Sequence, residues 1–142
     1  MRVDFYQLSE SPVEAALPAL AAKMREAGAK VLMVSADEDQ RARISDALWA
    51  PKGSFLAHGA AGGADDARHP ILLSGSLEPV NGATFLVLAD GLWRPSQGFE
   101  RIFLVFNGQT VEAARGAWRE LDSIEGCERH FWQQQDGRWS EN

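Results

Sequence analysis

Arg115, Trp118 and Arg119 stand at i, i+3 and i+4 in a stretch that reads as helix. They therefore share one face within about one turn. Two guanidinium groups beside an indole suit an acidic peptide with an aromatic end. Arginine pairs a carboxylate bidentately and the aromatic surface takes the apolar part. A plainer account also fits: Trp118 belongs to a core stripe, and both arginines are solvated beside Glu112 and Glu120. A second pair is Trp49, at the end of a predicted helix, and Phe55, beyond the turn that follows. Either alone suits the core. Together they are expected to form a partly exposed apolar patch of the kind that anchors a protein partner.

The remaining reactive residues point less sharply. His58 follows Phe55-Leu56-Ala57 and precedes Gly59, so it ends a predicted strand. It reads as a histidine hydrogen-bonded into a turn, with a base in a small enzyme site as the rival. His69, His130 and the single Cys127 have no metal-ligand spacing, and no Gly-x-Ser-x-Gly elbow occurs. Asp65-Asp66, in a glycine-rich loop, are expected to be solvated. The run Gly59-Ala60-Ala61-Gly62-Gly63 lacks the Gly-Lys-Ser/Thr ending of a phosphate-binding loop. The first strand-to-helix turn, Leu8 to Pro12, has no glycine, so the dinucleotide fingerprint is absent too. No cofactor and no metal are expected.

Positioning these residues requires a folded domain, and 142 residues suffice for one. Hydrophobic residues make up 45% and charged residues 24%, ordinary globular values that argue against disorder. With 14 Lys+Arg against 20 Asp+Glu, the net charge is −6, which speaks against broad phosphate binding. A local basic patch is still allowed. One cysteine cannot form an internal disulfide and fits a reducing compartment. Met1 to Tyr6 opens into a strand-like run without an apolar signal segment, and nothing approaches ~18 continuous apolar residues. A cytoplasmic protein is expected.

The elements read as β-α-β-α followed by more strands. Val3 to Leu8 is a strand. Ser11, Pro12 and Glu14 mark a helix start, with Val13, Leu17, Leu20, Ala21 and Met24 on one stripe. Pro18 predicts a kink, or a regular helix beginning near Leu17. Gly28 ends that helix. Lys30 to Ser35 reads as a buried parallel strand. Asp37 with Gln40 starts a helix to about Trp49, ended by Pro51 and Gly53. Ser54 to Leu56, Ile71 to Ser74, Thr84 to Ala89 and Arg101 to Phe106 are strands, and residues 59–68 an exposed loop. Thr110 caps a helix through about Leu121, with Val111, Ala114, Trp118 and Leu121 on one stripe. Glu128 to Trp132 reads as an edge strand, and residues 133–142 as a frayed tail.

Read together, Phe5-Tyr6-Gln7-Leu8, the segment Val31 to Gln40, and Asp46-Ala47-Leu48-Trp49 followed by Ser54-Phe55-Leu56-Ala57-His58 resemble the chi subunit family of bacterial DNA polymerase III. Phe99-Glu100-Arg101 and Ala114-Arg115 extend the resemblance over essentially the whole chain. It implies an accessory subunit of the clamp-loader assembly that binds the psi subunit and the acidic, phenylalanine-terminated tail of single-stranded DNA-binding protein. By the resemblance, Trp49 and Phe55 fall on the psi-facing surface. Arg115 falls on the arginine that meets the tail, Trp118 where the family has an aromatic, and Arg119 where it has a basic residue. Phe106 falls where an apolar residue lines the tail pocket. Val111 stands where some relatives carry another basic residue, and Ala57 replaces a proline before the histidine.

The reading is a single α/β domain over residues 1–142, with a mostly parallel sheet flanked by helices, Rossmann-like without a nucleotide site. It acts in DNA replication as a non-catalytic tether between the clamp loader, through psi, and the tail of single-stranded DNA-binding protein. DNA is met only indirectly, and a helicase is a further candidate for the Trp49/Phe55 surface. The alternative is a small α/β enzyme with a site near His58 and the 59–69 loop.

Overall fold

A computed structural model describes residues 1–9, 12–49, 56–135 and 138–141. Ser11, Pro51, Gly53, Ser54 and Phe55, all given roles above, lie outside the described residues. In chain order the elements are β1 (Arg2–Gln7), α1 (Val13–Glu26), β2 (Val31–Val34), α2 (Glu38–Trp49), β3 (Gly59–Ala60), β4 (Ile71–Ser74), β5 (Phe85–Leu88), β6 (Arg101–Phe106), α3 (Val111–Asp122), β7 (Glu128–Gln135) and β8 (Arg138–Glu141). The strands form one sheet in the order β3-β4-β2-β5-β6-β1-β7-β8. Every neighbouring pair is parallel except β7–β8. This is the expected Rossmann-like α/β architecture.

Helices cover both faces unequally. Leu17, Leu20 and Met24 of α1 and Ile44 and Leu48 of α2 bury against Met33, Val87 and Phe103 on one face. On the other, Ala114, Ala117 and Leu121 of α3 pack on Val3, Phe5, Leu104 and Phe106, while Trp93 and Phe99 from the loop after β5 cover the remainder. Buried side chains of this size contribute roughly 1.5–3 kcal/mol each. α1 runs unbroken through Pro18, so its regular part begins at Val13, ahead of the predicted Leu17. The proline forfeits one hydrogen bond, to the Glu14 carbonyl, and the buried stripe outweighs it. Gly28, at φ 82°, ends α1 with Gly28 N–H on the Arg25 carbonyl and Ala29 N–H on the Met24 carbonyl, a Schellman closure. Asp37 accepts the Asp39 N–H at the start of α2. Gln40 does not cap: it is buried, and its Nε2 donates to the Ala89 carbonyl, tying α2 to the end of β5.

The 59–68 segment is more ordered than its composition suggests. Gly59 and Ala60 form an edge strand on β4. Asp66 accepts the N–H groups of Gly62 and Gly63, both at 2.9 Å, so it staples the loop rather than being merely solvated.

The chain end departs further from expectation. The strand from Glu128 runs to Gln135 and lies inside the sheet, between β1 and β8. In place of the frayed tail, Gln133–Gln135 extend β7 and Arg138–Glu141 pair with it antiparallel. Aromatic contacts explain why polar sequence stays paired here: Tyr6 stacks on Trp132 at 5.8 Å and meets Trp139 edge-on at 4.9 Å. Burial, then the nearby Asp4 charge, pushes the Tyr6 hydroxyl up to about 12.

Asp4 anchors this side of the sheet. Its side chain is fully buried and accepts Arg2 Nη2 and Arg101 Nη2, each at 3.0 Å, and the Trp132 indole N–H at 3.1 Å. Beside it, His130 Nε2 meets Glu128 at 3.1 Å while Nδ1 meets Glu141 of β8. A neutral imidazole has only one N–H, so donating to both carboxylates requires the imidazolium. The hydrogen bonds to Glu141 and then Glu128 hold the His130 pKa above its ordinary value; burial and then Arg2 oppose, and Asp4 assists. Because the folded pKa is raised, this stabilisation is complete below about pH 6.5 and is lost as pH rises through the folded value. We expect unfolding free energy to decline through that window in the native chain and to lose that decline in His130→Asn, measured by urea titration at successive pH values. Equal pH slopes in the two proteins would contradict the bridging of Glu128 and Glu141 by His130.

Candidate functional site

The strands β6, β1 and β7 lie side by side, and their carboxyl ends present two rows on the α3 face. Leu104, Phe5 and Phe131 are register partners in one row; Phe106, Gln7 and Gln133 are partners in the next. The first turns of α3 stand over these rows. Between them lies a cavity of about 370 Å³, lined among others by Phe5, Phe106, Phe131, Trp118, Arg115 and Arg119. That volume is within the usual ~300–1,000 Å³ of ligand sites. Carboxyl ends of parallel strands are where α/β sheets commonly receive ligands.

The apolar part is built from rings in mutual contact. Trp118 meets Phe5 edge-on at 5.0 Å and Phe131 at 6.1 Å, and Phe106 contacts Phe5 and Phe131. Arg129 lies over the indole at 4.4 Å, donates to the Trp118 carbonyl at 2.8 Å and pairs with Asp122 at 2.7 Å. Such a cation–π contact is worth roughly 0.5–2 kcal/mol. Trp118 is thus neither a plain core residue nor a free surface one: it is half-buried and walls the cavity.

The two arginines differ. Arg115 pairs with Glu112 at 2.8 Å across one helical turn, and both side chains are largely exposed, 62% and 78%. An exposed pair of this kind contributes only ~0–1 kcal/mol, so an incoming carboxylate can displace Glu112. Arg119 is exposed and has no carboxylate partner among the described residues. It is the more available cation of the two.

The second predicted surface is partly described. Trp49, at the end of α2, is 53% exposed, and its ring lies 4.5 Å from that of His58. Phe55 lies outside the described residues.

The rival site centres on His58. Its Nδ1–H donates to the Leu56 carbonyl at 2.9 Å, which leaves Nε2 to accept the Ser45 hydroxyl at 2.8 Å. A serine on a histidine invites a nucleophilic reading. Yet the orienting group is a carbonyl, and no carboxylate pairs with His58 among the described residues. The cavity beside Ser45 is lined by Glu38, Arg41, Ala60, Ala61 and Gly75 among others, and His58 is not part of its lining. Three backbone donors of the neighbouring loop are spent: Ala61 N–H goes to the Leu73 carbonyl, and those of Gly62 and Gly63 to Asp66. Oxyanion stabilisation needs such donors unoccupied.

At the sheet centre, the Asp90 carboxylate accepts the Ala36 N–H beyond β2 and pairs with Arg94 at 2.6 Å. Burial alone works to raise its pKa, but the Arg94 hydrogen bond and the backbone donors bring it below the ordinary value. An anion thus stands where a phosphate would seek donors. Among the described residues no helix is long and apolar enough to cross a membrane.

Residues 1–130 match the family model described as DNA polymerase III chi subunit, HolC. The chain belongs to the DNA polymerase III chi subunit family. No curated protein matches it. Family membership makes it a polymerase accessory chain acting in DNA replication.

For this chi-family chain, the fold brings Arg115, Trp118, Arg119 and Phe106 into one cavity and keeps Trp49 apart from it. Sequence reasoning missed Phe5, Gln7, Phe131, Gln133 and Arg129. Alternation in Phe5-x-Gln7 and Phe131-x-Gln133 signals shared faces, but only strand order makes those faces neighbours. Phe131 and Gln133 also lie past the family match.

Proposed function

We infer that this chain is a non-catalytic cytoplasmic tether of the DNA polymerase III holoenzyme. It takes the acidic, phenylalanine-terminated tail of single-stranded DNA-binding protein in the α3 cavity and docks psi through the surface around Trp49, with Phe55 as the second anchor. The observation that carries the reading is the single cavity shared by Phe106, Arg115, Trp118 and Arg119. Aromatic walls suit the terminal ring, and the arginines suit the terminal carboxylate and neighbouring acids. The body of the chain, at −6, repels an acidic tail, but salt screens that repulsion beyond about 10 Å.

The test is a titration with an acidic peptide ending in Pro-Phe. The native chain should bind it at micromolar concentration, and amidation of its terminal carboxylate or Arg115→Ala should each weaken binding about tenfold. No binding by the native chain, or undiminished binding by Arg115→Ala, overturns the assignment. The second surface has its own outcome. Trp49→Ala should cost roughly 2 kcal/mol in psi binding, about 30-fold, and leave peptide affinity unchanged. Loss of both activities in a folded variant would refute two independent surfaces.

A further inference from the structure

The cavity contains one polar stretch that neither its aromatic walls nor its arginines account for. Gln7 and Gln133 are register partners on β1 and β7, and both line the cavity. Gln133 Nε2 donates to Gln7 Oε1 at 3.3 Å. A side-chain amide carries an acceptor oxygen and two N–H donors, so this one bond leaves capacity on each side. Gln7 Nε2 and Gln133 Oε1 have no partner among the described residues. Both side chains are half-buried, beside Phe5, Phe106 and Phe131.

We propose that the Gln7–Gln133 pair reads the last peptide bond of the bound chain end, a specificity element that rests on the tail-binding reading of this cavity. A peptide group offers one C=O and one N–H. Gln7 Nε2 donates to that carbonyl, and Gln133 Oε1 accepts that N–H. The spare donor and the spare acceptor are thereby matched by one ligand group. A free aromatic acid satisfies the walls and the arginines but leaves the two amides unpaired in a partly desolvated site, which weakens it relative to a peptide. Specificity for a chain terminus over a small aromatic acid then comes from the sheet, and charge attraction from α3.

The experiment is a two-by-two titration. The ligands are an acidic peptide ending in Pro-Phe and the same peptide with the terminal phenylalanine N-methylated, which removes the N–H. The proteins are the native chain and Gln133→Met. Methylation should weaken native binding about fivefold, and Gln133→Met should weaken the parent peptide similarly. Methylation should then have no further effect on the variant. An equal methylation penalty in both proteins, or none in the native chain, overturns the proposal while the tail reading stands. Binding of neither peptide by the native chain overturns both. If Gln133→Met does not fold, Gln7→Met and the native methylation ratio carry the same comparison.

Discussion

Arg119→Glu is expected to weaken acidic-peptide binding about 100-fold with the fold unchanged. A hydrogen bond to a charged group is worth ~1.5–3 kcal/mol, which alone is about 10- to 150-fold. The reversal adds repulsion of the ligand and places a new carboxylate on a helix that already carries Glu112 and Glu120. Arg119 is the cavity-lining cation without a carboxylate partner among the described residues, so nothing in the free protein needs rebuilding. Arg115→Ala should cost less, because Arg115 must first leave Glu112. Calorimetric titration at low and moderate salt separates the effects. Native affinity should fall as salt rises, and the variant's residual affinity should not. A variant that binds within threefold of native would remove Arg119 from the site.

Asp4→Asn is expected to lower the unfolding free energy by about 3 kcal/mol. Removing one partner from a buried ion pair commonly costs ~3–5 kcal/mol, because the opposite charge is left uncompensated. Here Arg2 and Arg101 both lean on Asp4, and their side chains are 33% and 30% exposed, which places the cost at the lower end. The asparagine oxygen can still accept the Trp132 indole N–H, but it cannot neutralise two guanidinium groups. A melting temperature about 10 °C lower should accompany the change. The denaturant midpoint should fall without a change of slope. Arg2→Ala should cost less, since Arg101 still compensates the carboxylate. A loss below about 1 kcal/mol would mean that the aromatic packing of Tyr6, Trp132 and Trp139 holds this side of the sheet without the ion cluster.

Local chemistry written in short stretches of chain was legible. The apolar runs within Lys30–Ser35 and Arg101–Phe106 read as buried strands, and both are. The i, i+3, i+4 spacing of Arg115, Trp118 and Arg119 placed all three on one helix face, and Gly28 marked a helix end, since a left-handed residue is cheapest for glycine. Pairing with distant segments was not legible. Glu128 to Trp132 reads as an edge strand with a polar tail after it, yet contacts of Trp132 with Tyr6 and Asp4, and of Tyr6 with Trp139, make it part of an inner strand. Gln40 has the spacing of a capping residue, but the Ala89 carbonyl beyond β5 claims its amide.

The sequence by itself determined the alternation of strands and helices, the acidic balance, and the residue types of the cation–aromatic face. Periodicity and charge are properties of neighbouring residues, so no tertiary contact is needed to read them. Only the tertiary structure decided that this face closes over a floor. Phe5 and Gln7 come from near one end of the chain, Phe131 and Gln133 from near the other, and Phe106 from between. A parallel sheet sets such segments side by side through backbone hydrogen bonds whose partners no local pattern specifies. The same strand order buries Asp4 beneath two arginines and leaves Arg119 unpaired at the cavity among the described residues.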